Sequence, residues 1–131
     1  MRLHLGCGDK RLPKPWINCD GDPARKGTML FRLPQDLKEL ATGSIEWVYS
    51  SHAIEHVEFD SLPGMFAEFH RVIKTGGKLT LATIDINGIY HNRYKAGLRD
   101  ASWNAALYGE TWGMGRPFIA HLCCFDDALL S

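Results

Sequence analysis

The first alternation of apolar and polar positions is Arg2-Leu3-His4-Leu5, and it stops at Gly6, so it predicts a short strand entering a tight turn. Pro13 and Pro15 forbid a regular helix after that turn. Trp16-Ile17-Asn18-Cys19-Asp20 predicts a second strand that ends on an acid, and Thr28 to Leu33 a third, ended by Pro34. A helical turn over Asp36 to Leu40 and a β-rich fourth strand over Ile45–Ser50 follow. Leu62, Met65, Phe66, Phe69, Val72 and Ile73 then form an apolar stripe of helical period. Asp60 or Ser61 caps its start, Pro63 suits its first turn, and Thr75-Gly76-Gly77 ends it. Lys78 to Ile84 predicts a fifth strand. From Asn87 to Arg116 the pattern is mixed, with helical pieces over Tyr90–Ala96 and Ser102–Tyr108. Phe125 to Leu130 reads as the opening of a further helix.

Strands that alternate with loops and helices specify an α/β domain with a mainly parallel sheet. Such sheets bind ligands at the carboxyl ends of their strands, near the switch in strand order. The glycine loop after the first strand, Asp20 after the second, Ser51-His52 after the fourth and Asp85 after the fifth all fall at such ends. One shared site is the expectation.

Composition narrows this further. A chain of 131 residues suits one domain, 1–131, and 45% hydrophobic residues are enough for a core. Fifteen basic and fifteen acidic residues give a formal net charge of zero, so nothing in the bulk charge draws the chain to nucleic acid or to an anionic membrane. No apolar run approaches a membrane span and the N-terminus is no signal peptide, so a cytoplasmic address is expected. Cys7, Cys19, Cys123 and Cys124 lack metal-knuckle spacing and read as free thiols.

The chemistry centres on Leu5-Gly6-Cys7-Gly8-Asp9. Glycines there permit a sharp turn and close approach of a ligand to the backbone. A dinucleotide site wants a third glycine at a helix start, but Arg11 stands in that place, followed by prolines. Pyrophosphate on a helix N-terminus is therefore poorly supported. Asp20 can accept hydrogen bonds from both hydroxyls of a ribose, and a strand before the glycines with an acid closing the next strand favours that reading over a plain turn at Asp20-Gly21-Asp22-Pro23.

With these features in order, the sequence resembles class I S-adenosylmethionine (SAM)-dependent methyltransferases, in a small subgroup of the type-11 kind. Leu3-His4-Leu5-Gly6-Cys7-Gly8 looks like the family's first motif and Trp16 to Asp20 like its second strand with the ribose acid. Ser44 to His56 resembles the fourth-strand motif, and Phe69-His70-Arg71-Val72-Ile73-Lys74-Thr75-Gly76-Gly77 the segment before the fifth strand. The resemblance implies a Rossmann-like, mainly parallel sheet of order 3-2-1-4-5 with flanking helices, lacking the family's last two strands. It implies SAM as cofactor, with Gly6, Cys7 and Gly8 at the methionine part, Asp20 on the ribose, Asp36 and Leu37 at the adenine, and Ser51 and His52 beside the reactive end. The acceptor it implies is a small molecule such as a sugar hydroxyl. By position, Asp85 after the fifth strand can face that acceptor, and His91, Tyr94 and Trp112 can frame its pocket or equally serve as core or surface packing of an irregular tract. The two missing strands would leave the fifth as an open edge, so pairing with a second copy or cover by Asn87–Leu130 is expected. An alternative is a truncated SAM-binding module without catalysis.

Methyl transfer from a sulfonium needs an acceptor held in line and, for a hydroxyl, a base. A histidine suits that role, since its ordinary pKa is about 6.5. Among His52, His56, His91 and His121, His52 is favoured because it follows the fourth strand directly. His52-Ala53-Ile54-Glu55-His56 also matches an inverted zinc-protease pattern. That chemistry needs both histidines on one face of a long helix, whereas a strand precedes this motif and Pro63 and Gly64 follow it closely. A zinc hydrolase is accordingly a remote alternative, and no metal is expected.

Overall fold

The computed structural model describes residues 1–89, 91 and 97. They belong to two compact units, one of Met1–Ile54 with Asp60–Ala82, the other of Glu55–Phe59 with the chain from Thr83 onward.

The first unit holds a five-stranded sheet of β1 (Arg2–Leu5), β2 (Trp16–Asp20), β3 (Met29–Leu30), β4 (Ile45–Ser51) and β5 (Ile73–Ala82). Every pairing is parallel and the order is β3-β2-β1-β4-β5, the arrangement expected from the sequence. Because side chains alternate along a strand, the aligned positions of neighbouring strands share a face. Leu3 stands level with Ile17 and Val48, and Leu5 with Cys19 and Ser50. Leu3, Leu5, Cys19 and Val48 are buried core residues of the sheet, as is Ile45 at the start of β4.

The opposite face carries Arg2 and His4 of β1, level with Trp16 and Asn18 of β2 and with Trp47 and Tyr49 of β4. Its rings pack on one another, with Trp16 5.2 Å from Trp47 and His4 5.0 Å from Tyr49 between ring centres. The cations of Arg2 and Lys78 lie over Trp47 at 5.9 and 5.1 Å.

The predicted stripe forms α1 (Leu62–Val72), which buries Leu62, Met65, Phe69 and Val72. These positions recur every three or four residues, so one side of the helix supplies the core. The helix rests on β5 and on a 3-10 turn, Gln35–Glu39, whose Leu37 is completely buried. Arg71 fastens the turn to the helix. Its guanidinium donates to the carbonyls of Leu37 at 3.1 Å and Leu40 at 2.9 Å while pairing with Glu68 at 2.6 Å. The Leu40 carbonyl at the end of the turn thereby gains a partner, and the Leu37 carbonyl, which also accepts the Leu40 N–H, gains a second.

Several boundaries differ from those the sequence pattern predicts. The third strand keeps only Met29–Leu30 of the predicted Thr28 to Leu33, because Arg32 is drawn into a local loop with Asp36. The helix ends at Val72 rather than at Thr75, since Ile73 is already extended and pairs with Ile45. The chain then bulges before Lys78 meets Trp47, and Gly77 permits this. A Cβ on Gly77 would stand 2.8 Å from the Lys74 carbonyl oxygen and 2.9 Å from that of Glu46. Lastly, β5 stops at Ala82, so Asp85 lies three residues beyond the strand instead of ending it.

In the second unit, Asp85 opens the short helix α2 (Ile86–Ile89). Its carboxylate accepts the Asn87 N–H and its carbonyl the Ile89 N–H, both at 2.9 Å. Glu55 is fully buried and accepts the Thr83 hydroxyl at 2.9 Å. No helix among the described residues is long and apolar enough to cross a membrane.

Candidate functional site

The carboxyl ends of β1 and β2 build a compact polar turn. Gly6 and Gly8 both take left-handed conformations, with φ of 66° and 52°. Cys7 between them donates its N–H to the Cys19 carbonyl at 3.0 Å, which continues the β1–β2 ladder past the last strand residue. Lys10 then donates to the Cys7 carbonyl at 3.0 Å and closes a tight turn around Gly8.

The two glycines do different things. A Cβ on Gly6 would come within 2.4 Å of the Ala53 Cβ, so this glycine lets the loop after β4 pass closely. A Cβ on Gly8 would meet nothing within 4 Å, so this residue borders open space.

Asp20 stands beside that space. Its Oδ2 accepts the Gly8 N–H at 2.8 Å and its Oδ1 the Asp22 N–H at 2.9 Å. An ionised carboxylate offers about four acceptor positions. Two backbone donors therefore leave capacity for two hydroxyls. Around it, Arg25 pairs with Asp9 and lies 3.6 Å from Asp22, tying the glycine loop to the β2–β3 connection. The hydrogen bond from Arg25 to Asp9, reinforced by Asp9, Asp20 and Asp22, holds the guanidinium's pKa above its ordinary value.

Cys7 and Cys19 are both buried. Burial pushes the Cys19 thiol up to about 12, and burial followed by the charge of Asp20 raises Cys7 as well. Both stay protonated near neutrality, so neither serves as a nucleophile. Cys7 can line the loop through its backbone.

At the end of β4, Ser51 is level with Ala82 and half-buried. His52 follows with φ of 53°, the one non-glycine residue in the left-handed region among those described, and its side chain is exposed. Its N–H donates to the Ala82 carbonyl at 2.8 Å, so the backbone is held at the strand end. Ile54–His56 and Phe59–Ser61 form short 3-10 turns. His52 and His56 thus do not share a helix face, and the geometry of the zinc-protease pattern is not built here.

The other sequence-predicted positions are placed as follows. Asp36 is engaged by Arg32 through its N–H at 2.8 Å and its guanidinium at 3.2 Å, which holds the Asp36 carboxyl below its ordinary pKa. Leu37 is buried against α1. Asp85 and His91 belong to the second unit, where Asp85 caps α2 and His91 is exposed. Tyr94, Trp112 and His121 lie outside the described residues. Two residues not singled out in the sequence also shape the site, Arg25 and Asn18. Asn18 had a readable signal, as a polar residue two positions before the acid on a strand and so on the same face.

Residues 24–81 match the family model described as a methyltransferase domain. The match supports a class I SAM-dependent methyltransferase domain. Domains of this family bind SAM as methyl donor. The matched stretch takes in β3, β4, α1 and nearly all of β5, while the glycine loop and Asp20 precede it. No curated protein and no solved structure matches the chain.

Proposed function

We propose that the chain binds SAM through the turn Gly6–Gly8 and Asp20 and transfers its methyl group to a small-molecule acceptor, a sugar hydroxyl or similar. The observation that carries this reading is the Asp20 carboxylate, anchored by the Gly8 N–H at 2.8 Å beside a glycine that faces open space. Bound SAM supplies a methyl group on a sulfonium, which is already a good leaving centre. The chain's own work is to hold and orient. Asp20 uses its two remaining acceptor positions on the ribose hydroxyls. Gly8 leaves room for the ligand to approach the backbone. The missing third glycine, with a loop where a dinucleotide fold would set a helix, favours a ligand without a pyrophosphate. His52, at the end of β4 with an exposed ring, is the base this reading assigns for removing the acceptor's proton.

Calorimetry with SAM and its demethylated product tests the binding half. A submillimolar dissociation constant for either is the expected result, and no heat with either at millimolar ligand would refute it. Turnover against a panel of hydroxylated acceptors, with and without His52→Ala, tests the transfer half. His52→Ala should lower turnover more than SAM affinity. Equal loss of both would make His52 a residue of the cofactor pocket.

A further inference from the structure

Rossmann-like sheets follow the glycine turn with a helix. Here the residues between β1 and β2 form no helix, and residues 9–15 run as an irregular loop. Such a loop needs another source of order if the turn ahead of it is to keep its shape. That source is the side chain of Asn18. Leu12 donates its N–H to Asn18 Oδ1 at 2.9 Å, and its carbonyl accepts from Asn18 Nδ2 at 2.9 Å. One amide thus satisfies both backbone groups of a loop residue, as a neighbouring strand would. The orientation of the amide follows from chemistry, because a backbone N–H can only donate and a carbonyl can only accept.

Asn18 is itself held from behind. Its Oδ1 lies 3.0 Å from Nδ1 of His4, and since that oxygen only accepts, the ring nitrogen is the donor. His4 is buried and packs on Tyr49. Trp16, Asn18 and Asp20 alternate along β2 and so share one face of the sheet. On that face Asp20 fixes the near end of the loop through Gly8, and Asn18 fixes its far end through Leu12.

We infer that Asn18 is a positioning residue for the cofactor loop, doing through one amide what a helix does elsewhere, with His4 fixing the amide. The inference rests on the SAM-binding reading. A loop ordered in advance costs less entropy when the ligand binds. Removing the clamp should therefore appear in affinity, with no effect on the chemical step.

The test measures SAM affinity by calorimetry, and turnover at saturating SAM, for the parent, Asn18→Ala and Asn18→Asp. Asn18→Asp keeps the acceptor for Leu12 and His4 but loses the donor to the Leu12 carbonyl. Expected are an affinity about tenfold weaker in Asn18→Ala, an intermediate value in Asn18→Asp, and turnover at saturation within about twofold of the parent. If the parent binds SAM and both variants bind it equally well, the inference is overturned and the SAM reading stands. If the parent itself does not bind SAM, both fall together. Should Asn18→Ala fail to fold, Asn18→Asp decides alone: weakened affinity with retained turnover supports the inference, and parental affinity overturns it.

Discussion

The backbone N–H of Gly8 donates to Oδ2 of Asp20 at 2.8 Å, joining a glycine after the first strand to the acid that closes the second. This bond makes the carboxylate part of the loop's own architecture, and Asp22 adds a second donor at 2.9 Å. A neutral amide cannot serve both, because one of its two positions is itself a donor. Asp20→Asn should therefore leave one backbone N–H facing another donor and also lose acceptor capacity for a ribose. The expected result is a fold-competent protein with SAM affinity weaker by roughly tenfold to a hundredfold. Calorimetry reads it directly, and parental affinity would remove Asp20 from the proposed site.

Gly6 and Ala53 make the second pair. A methyl group on Gly6 would sit 2.4 Å from the Ala53 Cβ, and φ of 66° strains any L residue there. An L residue at Gly8 would be strained in the same way but would have empty space around it. Gly6→Ala should cost roughly 2–4 kcal/mol, against about 1 kcal/mol for Gly8→Ala. In a urea series, Ala53→Gly should restore part of the loss in Gly6→Ala and none of that in Gly8→Ala. Equal losses at the two glycines would mean that backbone strain alone matters.

The first strand and the place of α1 were legible in the sequence because each rests on a strong local pattern, whereas the order of the sheet was implied by the family resemblance. Leu3 and Leu5 alternate before a glycine, and Leu62, Met65, Phe69 and Val72 repeat at helical spacing. The start of β5 was not legible, because the glycine pair that looks like a helix stop is a bulge set by tertiary crowding at Gly77. Leu37 was legible only as an apolar position after an acid. A leucine after an acid fits an adenine contact by position, but only the packing of α1 shows that it is enclosed. The glycine loop and Asp20 were readable as residue types in order. What fixes their geometry, the clamps of Asn18 and Arg25, depends on bonds between segments six or more residues apart.

His52 holds a backbone conformation that costs a non-glycine residue roughly 1–2 kcal/mol. Such strain concentrates where a side chain must be aimed. His52→Gly relieves it but loosens the unfolded chain, so stability should stay level or rise by up to about 1 kcal/mol. Methyl transfer should fall in the same variant. A stable protein with lost turnover and kept SAM affinity would tie the strained backbone to the imidazole it presents. A variant that keeps full turnover would show that the ring has no part in the reaction.

The buried thiols give the fold an alkaline limit. Burial first, then the charges of Cys7 and Asp20, push Cys19 up to about 12, and Cys7 is raised in the same direction. In the unfolded chain a thiol ionises near pH 8.5. Above that value the unfolded state loses protons that the folded state keeps, so stability falls as pH rises. The contribution is fully present below about pH 8.5 and is lost progressively toward the raised value of Cys19, with a limiting slope of about 1.4 kcal/mol per pH unit for one thiol. Urea midpoints should therefore decline over this range more steeply in the parent than in Cys19→Val, whose side chain has no proton to lose. Lysines and tyrosines titrate alike in both proteins, so the difference between the two slopes isolates Cys19. Parallel declines would show that its ionisation is not linked to unfolding.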